Sequence, residues 1–251
     1  MGRLKDKVAV VTGASKGIGA SIAKYFASEG AKVVVNYASS KEGADKVVKA
    51  ITENGGIAIA VQADLSNELD VTRLFQETEL AFGTLDILVN NAGIYQYEAI
   101  EAISAASFHA HFNINVLGSL LAIQTASRLF GDKGANIINI SSEVSKSPLP
   151  TGSIYSSSKA ALDAITVSLS KEFAGRNIRI NSILPGIVET EGSHQAGFIG
   201  SEAEANLVAK TPLGRTGQPE DVAKVAVFLA SDDSAWITGE KISVSGGIYG
   251  L

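Results

Sequence analysis

The sequence predicts an α/β fold, a doubly wound parallel sheet with helices on both faces. Three observations carry this. Short apolar runs rich in β-branched residues recur along the 251 residues, and most are separated by longer segments with apolar residues at helical spacing. The first run also passes directly into a glycine-rich turn that opens a helix.

The runs Val8–Val11, Val33–Val35, Ile57–Val61, Ile87–Val89, Ile137–Ile140, Ile178–Ile183 and Ile242–Val244 read as strands buried on both faces. Helical spacing covers Ile18–Glu29, Ala44–Glu53, Val71–Phe82, Phe108–Phe130, Ala160–Phe173 and Val222–Ala230. No tandem repeat, low-complexity tract or linker divides the chain, so residues 1–251 read as one domain. The alternation breaks between Gly186 and Gly217, where glycines, polar residues and Pro212 interrupt a short helical pattern. An irregular insertion of that length reads as a substrate-binding loop.

With 45% hydrophobic and 19% charged residues, the chain is suited to burying roughly 70–75% of its unfolded surface. A net charge of -5 with both signs interspersed leaves no electrostatic footprint for nucleic acid or an anionic membrane. A small-molecule partner is favoured. The absence of cysteine excludes disulfides, thiolate nucleophiles and cysteine-type zinc sites, so redox chemistry requires a borrowed cofactor. No apolar run approaches a membrane span and no signal-peptide pattern precedes the glycine-rich turn, which makes the cytoplasm the expected compartment.

The turn is Thr12-Gly13-Ala14-Ser15-Lys16-Gly17-Ile18-Gly19. Glycine permits the tight bend and lets backbone N–H groups approach a pyrophosphate at the positive end of the following helix. Its spacing differs from the commoner G-x-G-x-x-G. T-G-x-x-x-G-I-G resembles the nucleotide-binding turn of the short-chain dehydrogenase/reductase family, and the resemblance extends to the closing Ser245-Gly246-Gly247.

A dinucleotide site commonly places an Asp or Glu about 20 residues past the glycines, on the adenosine ribose. Asn36 stands there, beside Tyr37. A neutral residue removes repulsion toward a 2′-phosphate, and Lys16, Ser39, Ser40 and Lys41 can supply charge and donors, so NADP(H) is preferred with NAD(H) left possible. By the resemblance, Asp64 caps the adenine ring with the Leu65 backbone beside it; an Asp here is equally suited to capping a helix.

Asn90-Asn91-Ala92-Gly93 matches the family's N-N-A-G element, whose small residues let the cofactor lie against the backbone. A plain structural reading has the asparagines bridging strand ends, and for Asn90 both readings hold together. Ser142 is followed thirteen residues later by Tyr155, and four residues after that by Lys159. That last spacing puts both side chains on one helix face. A phenol with an unperturbed pKa of about 10 is a poor acid–base group at neutral pH, and a neighbouring ammonium lowers it into a useful range. Ser142 can hold a carbonyl beside the phenol. The resemblance adds Asn115, which helps hold a water leading protons to the lysine, and Pro185-Gly186-Ile187-Val188-Glu189-Thr190, whose Ile187 backbone and Thr190 bind the nicotinamide carboxamide. Pro185 reads equally as a strand terminator.

His109 and His111, two apart on a helix, face different sides and predict no metal site. Trp236 reads as a packing residue. His194, Phe198, Glu143 and Tyr95 to Tyr97 fall in segments expected to rim the cleft.

The resemblance implies one Rossmann-type domain with a seven-stranded parallel sheet, assembled as a homotetramer. It also implies an enzyme that interconverts a ketone or aldehyde and an alcohol, with Tyr155 as proton donor and Ser142 and Lys159 in support. A small ketone or sugar-like alcohol is favoured over a carrier-protein thioester, for which Lys133 and Arg176 are the candidate basic contacts, diluted by Asp132. A nucleotide sensor without catalysis would be marked by a broken Ser–Tyr–Lys set. Here the set is intact.

Overall fold

The computed structural model describes residues 2–248, so the outermost residues of the expected domain lie outside it. Seven strands form one wholly parallel sheet: β1 (Val8–Val11), β2 (Lys32–Tyr37), β3 (Ile57–Gln62), β4 (Ile87–Asn90), β5 (Ala135–Ile140), β6 (Ile178–Pro185) and β7 (Lys241–Val244). Their order is β3-β2-β1-β4-β5-β6-β7. The direction of winding therefore reverses between β1 and β4, where open parallel sheets form a crevice at the carboxyl ends of the strands.

The β-branched runs serve two cores at once. Ala9 and Val11 face one apolar cluster with Val33, Val35 and Phe26, while Val8 and Val10 face the other with Val34, Leu88 and Phe75. The two-residue side-chain period of a strand makes this division. Helices α1 (Gly17–Ser28), α2 (Lys41–Glu53) and α9 (Pro219–Ala230) cover the first face, and α3 (Glu68–Phe82) lies on the second. The edges depart from the expected burial on both faces. In β3 Ile57 is 51% exposed, and β7 is nowhere fully buried, because an edge strand has a neighbour on one side only.

The long helix expected over Phe108–Phe130 is interrupted. It consists of α4 (Ala105–Phe112), a π-helical turn over Asn113–Gly118, and α5 (Ser119–Ala126). Such a turn widens the helix by one residue and occurs often at functional sites; here it carries Asn115. Helix α6 (Ser153–Glu172) starts seven residues before the apolar periodicity does, so Tyr155 and Lys159 lie within its first two turns.

The segment 186–217 contains α7 (Glu191–Gln195) and α8 (Glu202–Lys210). Its two ends are tied together: Gly217 N–H donates to Ile187 O and Glu189 N–H to Gly217 O, each at 2.9 Å. No helix among the described residues is long and apolar enough to cross a membrane.

Candidate active site

The crevice begins where β1 and β4 end side by side. Thr12 Oγ1 accepts from the N–H groups of Asn91 and Ala92 at 2.9 and 3.0 Å, and Asn91 Nδ2 donates to the carbonyls of Thr12 and Gly13 at 2.9 and 3.1 Å. This clamp explains two glycines. Gly13 has φ +60, and a Cβ on Gly19 would collide with Asn91 Nδ2. A side chain at Gly19 would thus collide with the protein itself before any ligand arrived. The turn delivers the Gly17 N–H to the start of α1, where it donates to Glu191 Oε2 at 2.8 Å. An anionic oxygen already sits on this helix terminus, as the dipole and the unpaired amide favour.

Behind it lies a buried polar chain. Asn90 Nδ2 donates to Asn139 Oδ1 at 2.9 Å, Asn139 Nδ2 to Thr166 Oγ1 at 2.8 Å, and Thr166 meets Ser182 at 2.8 Å. It joins β4, β5, α6 and β6, so the helix bearing Tyr155 is registered on the sheet by hydrogen bonds as well as by packing.

Ser142 follows β5 and caps a 3-10 turn over Glu143–Ser145. Its side chain stands close enough to the Tyr155 hydroxyl to pull the pKa of the phenol down. Lys159 Nζ lies 6.0 Å from the Tyr155 ring centre and donates to Ile140 O at 2.8 Å. Asn115 Oδ1 accepts from Ile94 N–H at 2.9 Å, and its Nδ2 donates to Ile94 O and to Ser158 Oγ at 3.0 and 2.9 Å. The asparagine side chain therefore fastens the strand-end loop after β4 to α6.

The electrostatics differ from the simple expectation of an ammonium lowering a phenol. Burial pushes the Tyr155 phenol up to about 12, against the pull of the Ser142 hydrogen bond and with small upward pushes from Tyr97 and Tyr95. Burial also pulls Lys159 down to about 8, with Asp163 opposing. Desolvation penalises the charged form of both groups. In this arrangement the phenol is held as an acid and the lysine is poised near neutrality.

Comparison with known proteins agrees with this geometry. A family model described as enoyl-(acyl carrier protein) reductase matches residues 13–249. An oxidoreductase of Methylorubrum extorquens is 57% identical over 99% of this chain and 100% of its own length. The 3beta-hydroxysteroid dehydrogenase 1 of Eggerthella lenta is 41% identical, over 98% of this chain and 94% of that one. A short-chain dehydrogenase of Burkholderia cenocepacia, solved in complex with NADP, superposes with a TM-score of 0.91 at 34% identity, over 98% of this chain and 99% of that one. The chain belongs to the short-chain dehydrogenase/reductase family. It is an oxidoreductase acting on C=O and CH–OH groups.

In this dehydrogenase/reductase one cleft of about 1060 Å³ brings most of the sequence-predicted residues together. Gly13, Ser15, Lys16, Gly17, Ile18, Ser39, Ser40, Asp64, Leu65, Asn91, Ala92 and Gly93 line it, as do Ser142, Tyr155, Lys159, Pro185, Gly186, Ile187 and Thr190. The glycine cradle, the helix terminus and the hydroxyls of Ser15, Ser39 and Ser40 fit a dinucleotide. Tyr155, Lys159, Ile187 and Thr190 line the rest of the same cleft.

Several residues stand elsewhere or act differently. Tyr37 packs in the apolar cluster beneath α1 and α2 and does not line the cleft. Asn36 reaches it, but its side chain is 1% exposed: Oδ1 accepts from Gly13 N–H at 3.1 Å, and Nδ2 donates to Val61 O and Ala63 O at 3.3 and 3.1 Å. Asn36 thus braces the turn, while Ala38, Ser39 and Ser40 form the rim. Gly19 and Asn115 support the cleft from behind. Asp64 accepts from Ser66 N–H and Oγ at 2.9 and 2.8 Å, and the cap of α3 is Asn67. Thr190 caps α7, accepting from Ser193 N–H at 3.2 Å.

Of the expected rim, Glu143, Tyr95, Tyr97 and Phe198 line the cleft, whereas His194 pairs with Glu189 at 2.8 Å outside it. Tyr95 and Tyr97 flank the Tyr155 ring at 6.2 and 6.0 Å between centres. His111 is buried, donating from Nδ1 to Ser107 O at 2.9 Å and accepting on Nε2 from Gln96 N–H at 3.1 Å. Trp236 is fully exposed rather than packed. Lys133 and Arg176 precede β5 and β6, at the opposite ends of the strands from the cleft, and Arg176 donates to Ser127 O at 2.6 Å. Sequence reasoning missed Glu191 and Lys210. Nothing local distinguishes either from a solvated surface charge.

Proposed function

We propose that this enzyme is an NADP(H)-dependent carbonyl reductase or alcohol dehydrogenase of small molecules, with Tyr155 as its general acid and base. One observation carries the reading: Ser142, Tyr155 and Lys159 converge in the cleft that also holds the glycine-rich turn. The Ser142 hydroxyl, in the same cleft as the phenol, places a carbonyl oxygen beside both. When bound, the nicotinamide supplies or accepts hydride at the carbonyl carbon. Tyr155 gives its proton to the oxygen as negative charge develops there, and Ser142 stabilises that charge by donating. Lys159, beside the ring, stabilises the phenolate that is left behind and can pass on a proton of its own. Oxidation of an alcohol reverses each transfer.

The phosphate preference rests on the rim after β2. Ala38, Ser39 and Ser40 bring no carboxylate there, and Lys16 lines the same cleft. NADPH is the preferred donor, with NADH a weaker one. A carrier-protein substrate is disfavoured because Lys133 and Arg176 stand at the far side of the sheet. The homotetramer implied by family resemblance is kept as a proposal, supported by exposed Phe108, Leu117 and Leu120 along α4, the π turn and α5, as is a cytoplasmic location. A panel of small ketones, aldehydes and sugar alcohols, run in parallel with both phosphorylated and unphosphorylated nicotinamides, tests the function. Absence of turnover across the panel, with NADPH bound, overturns it.

A further inference from the structure

Tyr95 and Tyr97 lie on the segment that follows β4, and that segment is fastened at every second residue. Asn115 bonds both backbone groups of Ile94, His111 Nε2 accepts from Gln96 N–H at 3.1 Å, and Glu98 N–H donates to Thr151 O at 2.7 Å. The two tyrosines between these bonds are therefore held on both sides. Their rings are tilted by 56° and 69° from the ring of Tyr155. Tyr95 reaches across to α7, where a Cβ on Gly192 would collide with its hydroxyl, and the edge of Tyr97 lies against Gly152 at the start of α6. Yet neither ring is covered. Tyr95 is 46% and Tyr97 47% exposed, and both line the cleft of Tyr155, as does the exposed Leu149. Large apolar side chains fixed in place and left open to a cleft mark a wall that a ligand covers.

We propose that Tyr95 and Tyr97 are substrate-specificity residues that bind an aromatic ring carried within two carbons of the reacting carbonyl. The preferred substrates are then aryl-bearing ketones and the matching alcohols, in place of sugar-like alcohols. This rests on the carbonyl-reductase reading of the same cleft. Three points support it. The two ring centres lie 6.2 and 6.0 Å from that of Tyr155, so they meet the part of a substrate nearest its reacting carbon. Fixed aromatic rings make offset and edge-to-face contacts with a planar ring that a saturated one does not return, and holding them in place beforehand lowers the ordering cost of binding. The ring faces and Leu149 offer no conventional hydrogen-bond partner to the hydroxyls of a sugar, which would lose water there without replacement.

The test compares 4-phenyl-2-butanone with 4-cyclohexyl-2-butanone, using NADPH, in the wild type and in the double variant Tyr95→Leu, Tyr97→Leu. Neither ring is conjugated with the carbonyl, so the ratio of kcat/KM reads the ring contact and not the reactivity of the ketone. The wild type is expected to prefer the phenyl ketone by at least about threefold, and the double variant to bring that ratio below about half its wild-type value. A wild-type ratio under about threefold, or a ratio kept above about half in the double variant, overturns the proposal. If neither ketone oxidises NADPH, the carbonyl reading is at fault, and NMR decides the ring contact separately, as it does if the double variant does not fold. Carbon-13-labelled tyrosine rings, assigned through Tyr95→Phe and Tyr97→Phe, are followed while each ketone is added to the wild-type enzyme. Shifts at Tyr95 or Tyr97 at least about twice as large with the phenyl compound support the contact, and smaller differences or no shifts overturn it.

Discussion

The Glu191 carboxylate, on the short helix α7, accepts a hydrogen bond of 2.8 Å from the N–H of Gly17, 174 residues earlier at the start of α1. Helix α1 has no acidic residue in its first turn, and Lys16 at its N-cap makes no side-chain cap. A carboxylate from the 186–217 segment therefore completes the helix terminus that fits a pyrophosphate.

A bound pyrophosphate and Glu191 compete for that amide, and their charges repel. Replacing Glu191 by Gln is expected to lower the Kd for NADPH by about twofold to tenfold, the scale of one charge at a helix terminus. Fluorescence titration of NADPH measures this. An unchanged or weakened affinity counts against the competition.

Tyr155→Phe removes the transferable proton and leaves the ring in place between Tyr95 and Tyr97. A loss of about 10²- to 10⁴-fold in kcat is expected, with NADPH affinity within about twofold of wild type. Steady-state NADPH oxidation with an activated ketone, beside a binding titration, separates the two. Retained activity would falsify the assignment of the proton donor.

The pH dependence follows from Lys159. With its ammonium pulled down to about 8, it is charged below that pH and neutral above it, whereas Tyr155 at about 12 stays protonated throughout. The kcat/KM for reduction, which reports groups of the free enzyme, should fall as pH rises through about 8. In Lys159→Met the overall rate is low and that inflection is absent. A profile flat from pH 7 to about 10 in the wild type contradicts the role.

The rim after β2 decides the cofactor's phosphate. Ala38 lines the cleft and is exposed, so Ala38→Asp places a carboxylate there without disturbing the core. The ratio of kcat/KM for NADPH over NADH is expected to drop at least about tenfold, by repulsion of the 2′-phosphate and new hydrogen bonds to a free ribose. Parallel kinetics with both donors reads the outcome, and an unmoved ratio places the phosphate elsewhere.

The buried chain from Asn90 to Ser182 predicts a stability effect at Asn139, which is 0% exposed and bonded on both sides. Asn139→Ala strands the buried Asn90 amide, at about 1–3 kcal/mol, while Thr166 keeps Ser182 and Leu162 O. Thermal denaturation should show Tm lower by several degrees, at about 2–4 °C per kcal/mol for a chain of this size. A shift below about 1 °C means that the neighbours find other partners.

Much of the fold was legible because its causes are local. Each predicted strand is present, with ends extended by one or two residues in β2, β3, β4, β5, β6 and β7. Apolar β-branched runs specify doubly buried strands wherever a neighbour lies on each side, and this failed only at β3 and β7, where the sheet ends. The interruption at Asn113–Gly118 was not legible, since residue type does not mark the one residue by which a π turn widens the hydrogen-bond ladder. Within the site, Tyr155 and Lys159 were legible from their helical spacing taken together with Ser142 and the other motifs in family order, and Gly13 to Gly19 from a turn following a strand.

The sequence by itself determined the parallel α/β architecture, the glycine-rich turn after β1 and the candidate set of Ser142, Tyr155 and Lys159. Each of these follows from residue type at short spacing, which local backbone geometry converts directly into shape. Only the tertiary structure decided which way Asn36 and Tyr37 face, which charge meets Gly17, how far burial moves Tyr155 and Lys159, and that Tyr95 and Tyr97 flank the Tyr155 ring. Those properties depend on desolvation and on partners far along the chain, so they exist only once the strands, α6 and the 186–217 segment have closed around one cleft.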